Sequence, residues 1–293
     1  MLFVDTSMVI HRALHKLDFL KNSKGVHTGM EFGTFKILES LEKKFPNEII
    51  ILCFDKGISK RKKIDPNYKA NRSKRSDEFI ERSERLQEVL SVLYRTAYAY
   101  GEEADELIYS LANQYTGPHY IYSNDDDLLQ AVNDEYEIQV VKSFQSKLYY
   151  WDEAKIREKY YVGPALLPMF RAFIGDSSDN IKGIPRINRK LLAEALTHAL
   201  DKWSGESIFD FLEIFMTENL FSDNMKLKVR HFVEDGNFLT NYRLIKLMSI
   251  PTTVNKPEGE LQIVENFLKE KEIYSLGICE KLGMKNIQDG DEF

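Results

Sequence analysis

Cysteine is scarce in this 293-residue chain, with only Cys53 and Cys279. Two thiols so far apart supply neither a disulfide framework nor the spaced thiolate set of a structural zinc site. Cys53 lies inside an apolar run and reads as a small core residue. Histidine is sparse too, at six, so a zinc centre is not expected. No uninterrupted apolar run approaches the roughly 18 residues needed to span a bilayer. The N-terminal Met1-Leu2-Phe3-Val4-Asp5 shows no basic leader ahead of a long apolar region. Repeats and low-complexity segments are also lacking. These absences lead to the expectation of a soluble, cytoplasmic protein with no membrane contact.

What is present is an ordinary apolar content of 43%, enough for a full core as one large domain or two modest ones. The formal net charge of −6 argues against nonspecific coating of nucleic acid, but that average hides a segregation. Lys60 to Arg75 holds eight Lys/Arg against a single acid, Asp65. Lys182 to Lys190 holds four basic residues and no acid. Either stretch alone could be a solvated face. Two of them, set against clustered acids, suit a polyanionic substrate handled near metal ions.

Leu2-Phe3-Val4 reads as a short strand ending at Asp5. Helical spacing runs from Thr28 to Lys44 and stops before Pro46. Glu48 to Phe54 is a continuous apolar strand ending at Asp55, as expected of a parallel strand buried on both faces. Lys56 to Arg75 is polar, basic and poorly periodic, and a helix with a charged outer face follows from Ser76. Further strands are expected at 96–100, 119–122, 137–141 and, at the sheet edge, 147–151. A helix opens near Glu103 and continues through Leu111. Beyond Asp152 the pattern is helix after helix with no convincing strand, so a boundary falls near residues 150–165. The tail Asp289 to Phe293 is expected to fray. Strands alternating with helices imply an α/β layer architecture with a mostly parallel sheet.

The chemistry-bearing feature is the set of acids at strand ends: Asp5, Asp55, Glu103, Asp105, Asp125 and Asp127. In open α/β sheets this rim is where ligands bind. Any one of these residues could be a helix cap. Several strand ends supplying acids together point to hard divalent cations, which prefer carboxylate oxygens and water. Ser123-Asn124-Asp125-Asp126-Asp127 is the densest of these turns, and Asp126 is expected to face solvent, so that its replacement by alanine is nearly silent. In the helical half, Asp176 and Asp179 are spaced to share one face of a turn. Directly after them, Lys182 to Lys190 is a Gly/Pro turn leading into a helix near Leu191, a way of presenting amides and cations to phosphates. Arg12, just after the first strand, is a further phosphate-contact candidate.

In these residues the chain resembles the metal-dependent 5′ nucleases: flap endonucleases, the 5′–3′ exonuclease domain of bacterial DNA polymerase I, and the RNase H of T-even phages. The resemblance rests on Phe3-Val4-Asp5, Asp55-Lys56-Gly57 with Arg61, and Pro66-Asn67-Tyr68-Lys69-Ala70-Asn71-Arg72. It continues through Glu103-Ala104-Asp105, Ser123-x-Asp125-x-Asp127-x-x-Gln130, Gly175-Asp176-x-x-Asp179-Asn180-Ile181-x-Gly183 and Asn241 to Pro251. The order of these motifs is that of the family from residue 3 to about 251.

The resemblance implies a PIN/5′-nuclease-like α/β core over 1–160 with a basic helical arch at about 56–95. It also implies an all-helical part over 161–293 carrying a helix-hairpin-helix-like DNA-binding motif. It implies two Mg²⁺ or Mn²⁺ ions, one held by Asp5, Asp55, Glu103 and Asp105, the other by Asp125, Asp127, Asp176 and Asp179, with Glu106 behind them. Lys69 and Arg72 would stabilise charge on the scissile phosphate. Arg61, Tyr68, Asn71, Lys182, Arg189 and Lys190 would contact nucleic acid, with Tyr68 stacking on an unpaired base or simply packing. The implied substrates are DNA with a 5′ flap, nick or free 5′ end, or an RNA–DNA hybrid, in replication. A clamp or single-strand-binding protein is the implied partner of a monomeric enzyme. The family's Gly-Val-x-Gly-Ile-Gly hairpin departs here to Gly183-Ile184-Pro185-Arg186-Ile187-Asn188, which puts a monovalent-ion site in doubt. A PIN-type ribonuclease shares the acid-rimmed core but would need neither the basic insertion nor the helical half. A non-catalytic DNA-binding relative would be expected to have lost several of the eight acids.

Overall fold

Leu2–Asp5 (β1) is flanked in parallel by Ile50–Cys53 (β2) and His119–Tyr122 (β4), with Val4 opposite both Leu52 and Tyr122. This register decides where the acids lie. Asp5 is level with Cys53, so Asp55 and Ser123 emerge from the neighbouring strands at the same edge. Arg95–Ala97 (β3) extends the sheet beyond β2, while Ile138–Phe144 (β5) and the antiparallel edge strand Lys147–Trp151 (β6) extend it beyond β4. The order is β3-β2-β1-β4-β5-β6, mostly parallel as expected. The computed structural model describes residues 1–284 except positions 75, 206 and 219. The tail expected to fray lies outside the described residues.

Side-chain alternation along the strands separates two cores. Leu2, Val4, Ile50 and Leu52 face one way, onto Thr6–Leu17 (α1), Gly29–Lys44 (α2) and Asp77–Leu93 (α3). Phe3, Ile51, Cys53 and Ile121 face the other way, onto Ala104–Gln114 (α4), Glu153–Tyr160 (α5) and Leu167–Ile174 (α6). Arg189–Lys202 (α7), Ile208–Thr217 (α8), Asp223–Glu234 (α9) and Asn237–Ile245 (α10) continue this second layer. Leu261–Glu270 (α11) and Gly277–Lys281 (α12) return to the first face, where Val264, Phe267 and Cys279 are buried. The sheet ends at Trp151 and helices follow from Glu153, and the apolar core runs across residue 160 without a break. Cys53 and Cys279 are free and buried. Among the described residues no helix is long and apolar enough to cross a membrane.

Two elements depart from the sequence expectation. Helix α1 was not foreseen, although Val9, Ile10 and Ala13 are buried on one face; His11, Arg12 and His15 interrupt its apolar pattern. The helical half also contains a minimal antiparallel pair, Gly175–Asp176 (β7) with Ile181–Lys182 (β8), between α6 and α7. Gly175 has φ 75°, and a Cβ on it would lie 2.4 Å from the Gly183 nitrogen. A Cβ on Gly183 would lie 2.1 Å from the Ile174 carbonyl carbon. The pair is held main chain against main chain, where only glycine fits.

Candidate active site

The acids meet at the C-terminal edge of the parallel strands, and local hydrogen bonding aims each of them. Asp5 caps α1: one carboxylate oxygen accepts from the Met8 amide at 2.9 Å, the other from the Ser123 hydroxyl at 2.9 Å. Asp55 accepts from the Ala104 amide at 3.0 Å, which ties the end of β2 to the start of α4. Asp105 lies in the first turn of α4. Within the turn after β4, the Asp125 amide donates to Ser123 Oγ and the Asp127 amide to Asp125 Oδ1 at 2.8 Å. At Asp5, helix cap and acid of the cluster are thus the same residue.

Asp105, Asp125 and Asp127 each offer a carboxylate oxygen within 4.8 Å of the other two. Asp5, Asp55, Glu103, Asp105, Asp125 and Asp176 line a cleft of about 380 Å³, with Lys69, Arg72 and Arg171 also on its wall. Asp127 and Asp179 are more deeply buried beside it. The convergent trio takes Asp105 from one of the two anticipated ligand sets and Asp125 and Asp127 from the other. An all-oxygen donor set without histidine or cysteine fits a hard divalent cation.

Charge crowding is visible in the titration of these groups. Burial, reinforced by Asp55, pushes Asp5 up to about 7. Burial also raises Asp127, with Asp125 adding to it and Arg171 opposing. Asp105 is raised by burial and by Glu103, against the pull of Arg61. Glu103 goes the other way: burial opposes ionisation, but Lys69 and Arg61 together hold it low.

Four cations offset part of this charge. Arg61 Nη1 lies 2.8 Å from Asp105 and 3.1 Å from Glu103, and Nη2 is 3.4 Å from Glu106. Lys69 Nζ is 2.6 Å from Glu103 and 3.8 Å from Asp179. Arg72 pairs with Asp179. Arg171 lies between Asp127 and Asp176. It was not among the residues expected from sequence, although a lone arginine in the apolar helix Leu167–Ile174 was a signal available there.

The basic stretch folds over the acids as turns with one short 3-10 helix, Lys60–Lys63, rather than as a regular helix; the helix of the 56–95 region is α3. Lys69, at φ 55°, donates its amide to the Asp179 carbonyl at 3.0 Å. Asn71 Nδ2 donates to the Ser177 carbonyl, and Asn180 Nδ2 to the Asn67 carbonyl, both at 2.9 Å. The segment is strapped to the β7–β8 hairpin.

Residues 1–161, more than half of the chain, match the family described as 5'-3' exonuclease, N-terminal resolvase-like domain. The chain belongs to the 5′–3′ exonuclease family. It is 28% identical over 240 residues to DNA polymerase I of Bacillus subtilis (strain 168), a match covering 77% of this chain and 27% of the polymerase. With the 5'-3' exonuclease of Buchnera aphidicola subsp. Acyrthosiphon pisum (strain APS) the identity is 28% over 265 residues, 86% of this chain and 88% of that protein. The chain thus spans about a quarter of the polymerase and most of the stand-alone exonuclease. The flap endonuclease of bacteriophage T5, solved with DNA and metal ions, superposes with a TM-score of 0.63 over 93% of this chain and 98% of its own, at 20% identity. That likeness is one of fold.

Within this 5′–3′ exonuclease fold, several sequence expectations need correction. Arg61 and Tyr68 were assigned to nucleic acid, but they are 3% and 1% exposed. Tyr68 Oη bridges Glu103 and Asp179 at 3.1 Å each and accepts from Arg61, so it packs and hydrogen-bonds where base stacking was one alternative. Arg12 turns away from the acid cleft, towards Tyr122 Oη and the Ser143 carbonyl. Asp126 does not stand free in solvent: it is bound by Lys142, Lys159 and Tyr160. Burial opposes its ionisation, but Lys142 and the hydrogen bonds hold its carboxyl well below the usual range. Lys182, Arg189 and Lys190 are exposed around the hairpin and the start of α7, where Asn188 caps the helix. Arg186 takes φ 61°, so the left-handed geometry is kept there without a glycine.

Proposed function

We propose that this chain is a structure-specific 5′ nuclease that hydrolyses phosphodiester bonds near the 5′ ends of DNA, as exonuclease and flap endonuclease. The observation that carries this is the convergence of Asp105, Asp125 and Asp127 beside a cleft walled by Lys69 and Arg72. When bound there, two Mg²⁺ or Mn²⁺ ions would supply an activated water and charge neutralisation at the leaving oxygen. Asp5, Asp55, Glu103 and Asp105 would hold one ion, and Asp125, Asp127, Asp176 and Asp179 the other, with Glu106 behind Arg61. Lys69 and Arg72 now neutralise Glu103 and Asp179. Once those carboxylates have another counter-charge, the two cations are free to stabilise the scissile phosphate. Lys182, Arg189 and Lys190 hold the duplex backbone, and Asn71 lies on the path of the 5′ strand.

The phage T5 flap endonuclease, solved with DNA and metal ions, supports both the substrate and the cofactor class. The DNA polymerase I relatives support a place in DNA replication, and the role proposed there is removal of flaps or RNA primers, with a clamp or single-strand-binding protein as the proposed partner. The proposed setting is a cytoplasmic monomer. A labelled 5′-flap duplex, a plain single strand and an RNA–DNA hybrid, each with Mg²⁺, Mn²⁺ or EDTA, test this reading. Short 5′ products from the flap in metal and none in EDTA are expected. No cleavage of any substrate overturns the proposal, and cleavage confined to the RNA strand of the hybrid replaces the flap reading with one of RNase H type.

A further inference from the structure

Asp127 opens a short 3-10 helix, Asp127–Ala131, but Ser123 to Asp126 ahead of it has no regular structure, so contacts outside that stretch fix its shape. Asn124 ties it to β5 through two hydrogen bonds with Ser143, at 2.9 and 3.2 Å. Ser123 is tied to Asp5 and Asp127 to Arg171, and a further set of ties runs through Asp126. Lys142 of β5 bonds Asp126 and also donates to the Asn124 carbonyl at 3.1 Å. Lys159 of α5 donates to Asp126 at 3.1 Å, and the Tyr160 hydroxyl donates to the same oxygen. Both lysine ammoniums sit over the Trp151 ring of β6, at 5.5 and 5.2 Å from its centroid. Three side chains from two elements outside the turn, β5 and α5, therefore converge on one carboxylate that is not itself among the proposed metal ligands.

We propose that Asp126 is a positioning residue: held by Lys142, Lys159 and Tyr160, it sets the turn from which Asp125 and Asp127 reach the divalent ions. The inference rests on the metal reading above. Asp125 and Asp127 reach the acid cluster, while Asp126, at the wall of the same cleft, is bound by the lysines and Tyr160, so the turn is held from both sides. Partners that orient metal ligands typically change metal affinity 10- to 100-fold when removed, whereas exposed ion pairs that only add stability leave affinity alone.

The test is calorimetric titration of Mn²⁺ into wild type, Asp126→Ala and Tyr160→Phe, with folding checked by circular dichroism and flap-DNA binding measured in EDTA. Asp126→Ala is expected to weaken Mn²⁺ binding about tenfold while DNA affinity in EDTA stays within twofold. Tyr160→Phe, which keeps the charge and removes only the hydroxyl donor, is expected to show a smaller loss in the same direction. A folded Asp126→Ala that binds Mn²⁺ like the wild type, even with a lower melting temperature, overturns the proposal. Should that variant not fold, unchanged Mn²⁺ binding by Tyr160→Phe and by Lys159→Met overturns it equally. Wild type that takes up no Mn²⁺ overturns the metal reading itself, a distinct result.

Discussion

Arg171 Nη1 lies 2.6 Å from Asp127 Oδ1, both side chains are almost wholly buried, and yet neither atom has a hydrogen bond of acceptable geometry. Distance and direction disagree here, and direction is the more informative. The guanidinium is held by charge, with its other arm on Asp176, and serves as counter-ion to a site that carries more acid than it can hold alone. Removing one partner of a buried pair typically costs 3–5 kcal/mol. Arg171→Met should therefore lower the metal-free melting temperature, by about 3 kcal/mol of stability, and Mg²⁺ should raise the variant's melting temperature more than it raises wild type's. Thermal melts with Mg²⁺ and with EDTA decide this. An unchanged metal-free melting point refutes it.

Asp125→Asn and Asp176→Asn should each abolish cleavage and largely spare binding of flap DNA, because both remove ligand charge without altering shape. Gel assays in Mg²⁺ paired with anisotropy in EDTA separate the two properties. Wild-type turnover in either variant contradicts the assignment of these acids.

The benefit of metal should grow with pH. Asp5 has an ordinary value of 3.8 and is pushed up to about 7 in the fold. Between those values the folded chain keeps a proton that the unfolded chain releases, so metal-free stability falls as pH rises through that window. Divalent ions bind the deprotonated form and displace the proton. The gap in melting temperature between Mg²⁺ and EDTA should thus widen from pH 5 to pH 8, and a gap that narrows would count against the metal site.

Nucleic-acid contact should divide the cations into two groups. Lys182→Ala, Arg189→Ala and Lys190→Ala should each reduce the slope of log affinity against log salt by about 1. Arg61→Met should leave that slope unchanged and instead destabilise the fold, since Arg61 is spent on Glu103, Asp105 and Glu106. Anisotropy across a salt series, with EDTA present, distinguishes them; a lower slope for Arg61→Met would restore it to the DNA surface.

Acids at strand ends were legible in the sequence because strand ends are legible: an apolar run such as Ile50 to Phe54 followed by Asp55 places the carboxylate at the sheet rim without knowledge of tertiary contacts. What remained hidden was which cation meets which acid. The resemblance singled out Arg61 and Lys69 from Lys62 and Lys63 in the basic run, but as contacts to nucleic acid and phosphate, and only the folded strap shows them as counter-ions of the acids. Asp126 was misjudged for the same reason, since its partners come from residues 142, 159 and 160 and no local spacing announces them.

The hairpin of Gly175 and Gly183 has a bearing on how this molecule could be altered. Neither residue has a side chain to carry charge or chemistry, and neither position has room for a methyl group. Asp176 follows Gly175 directly, so any side chain at either glycine displaces the carboxylate that Arg171 holds. In a saturation screen for activity, these two chemically mute positions should tolerate replacement as poorly as the aspartates, and a redesign that seeks new specificity in the helical half has to begin around them.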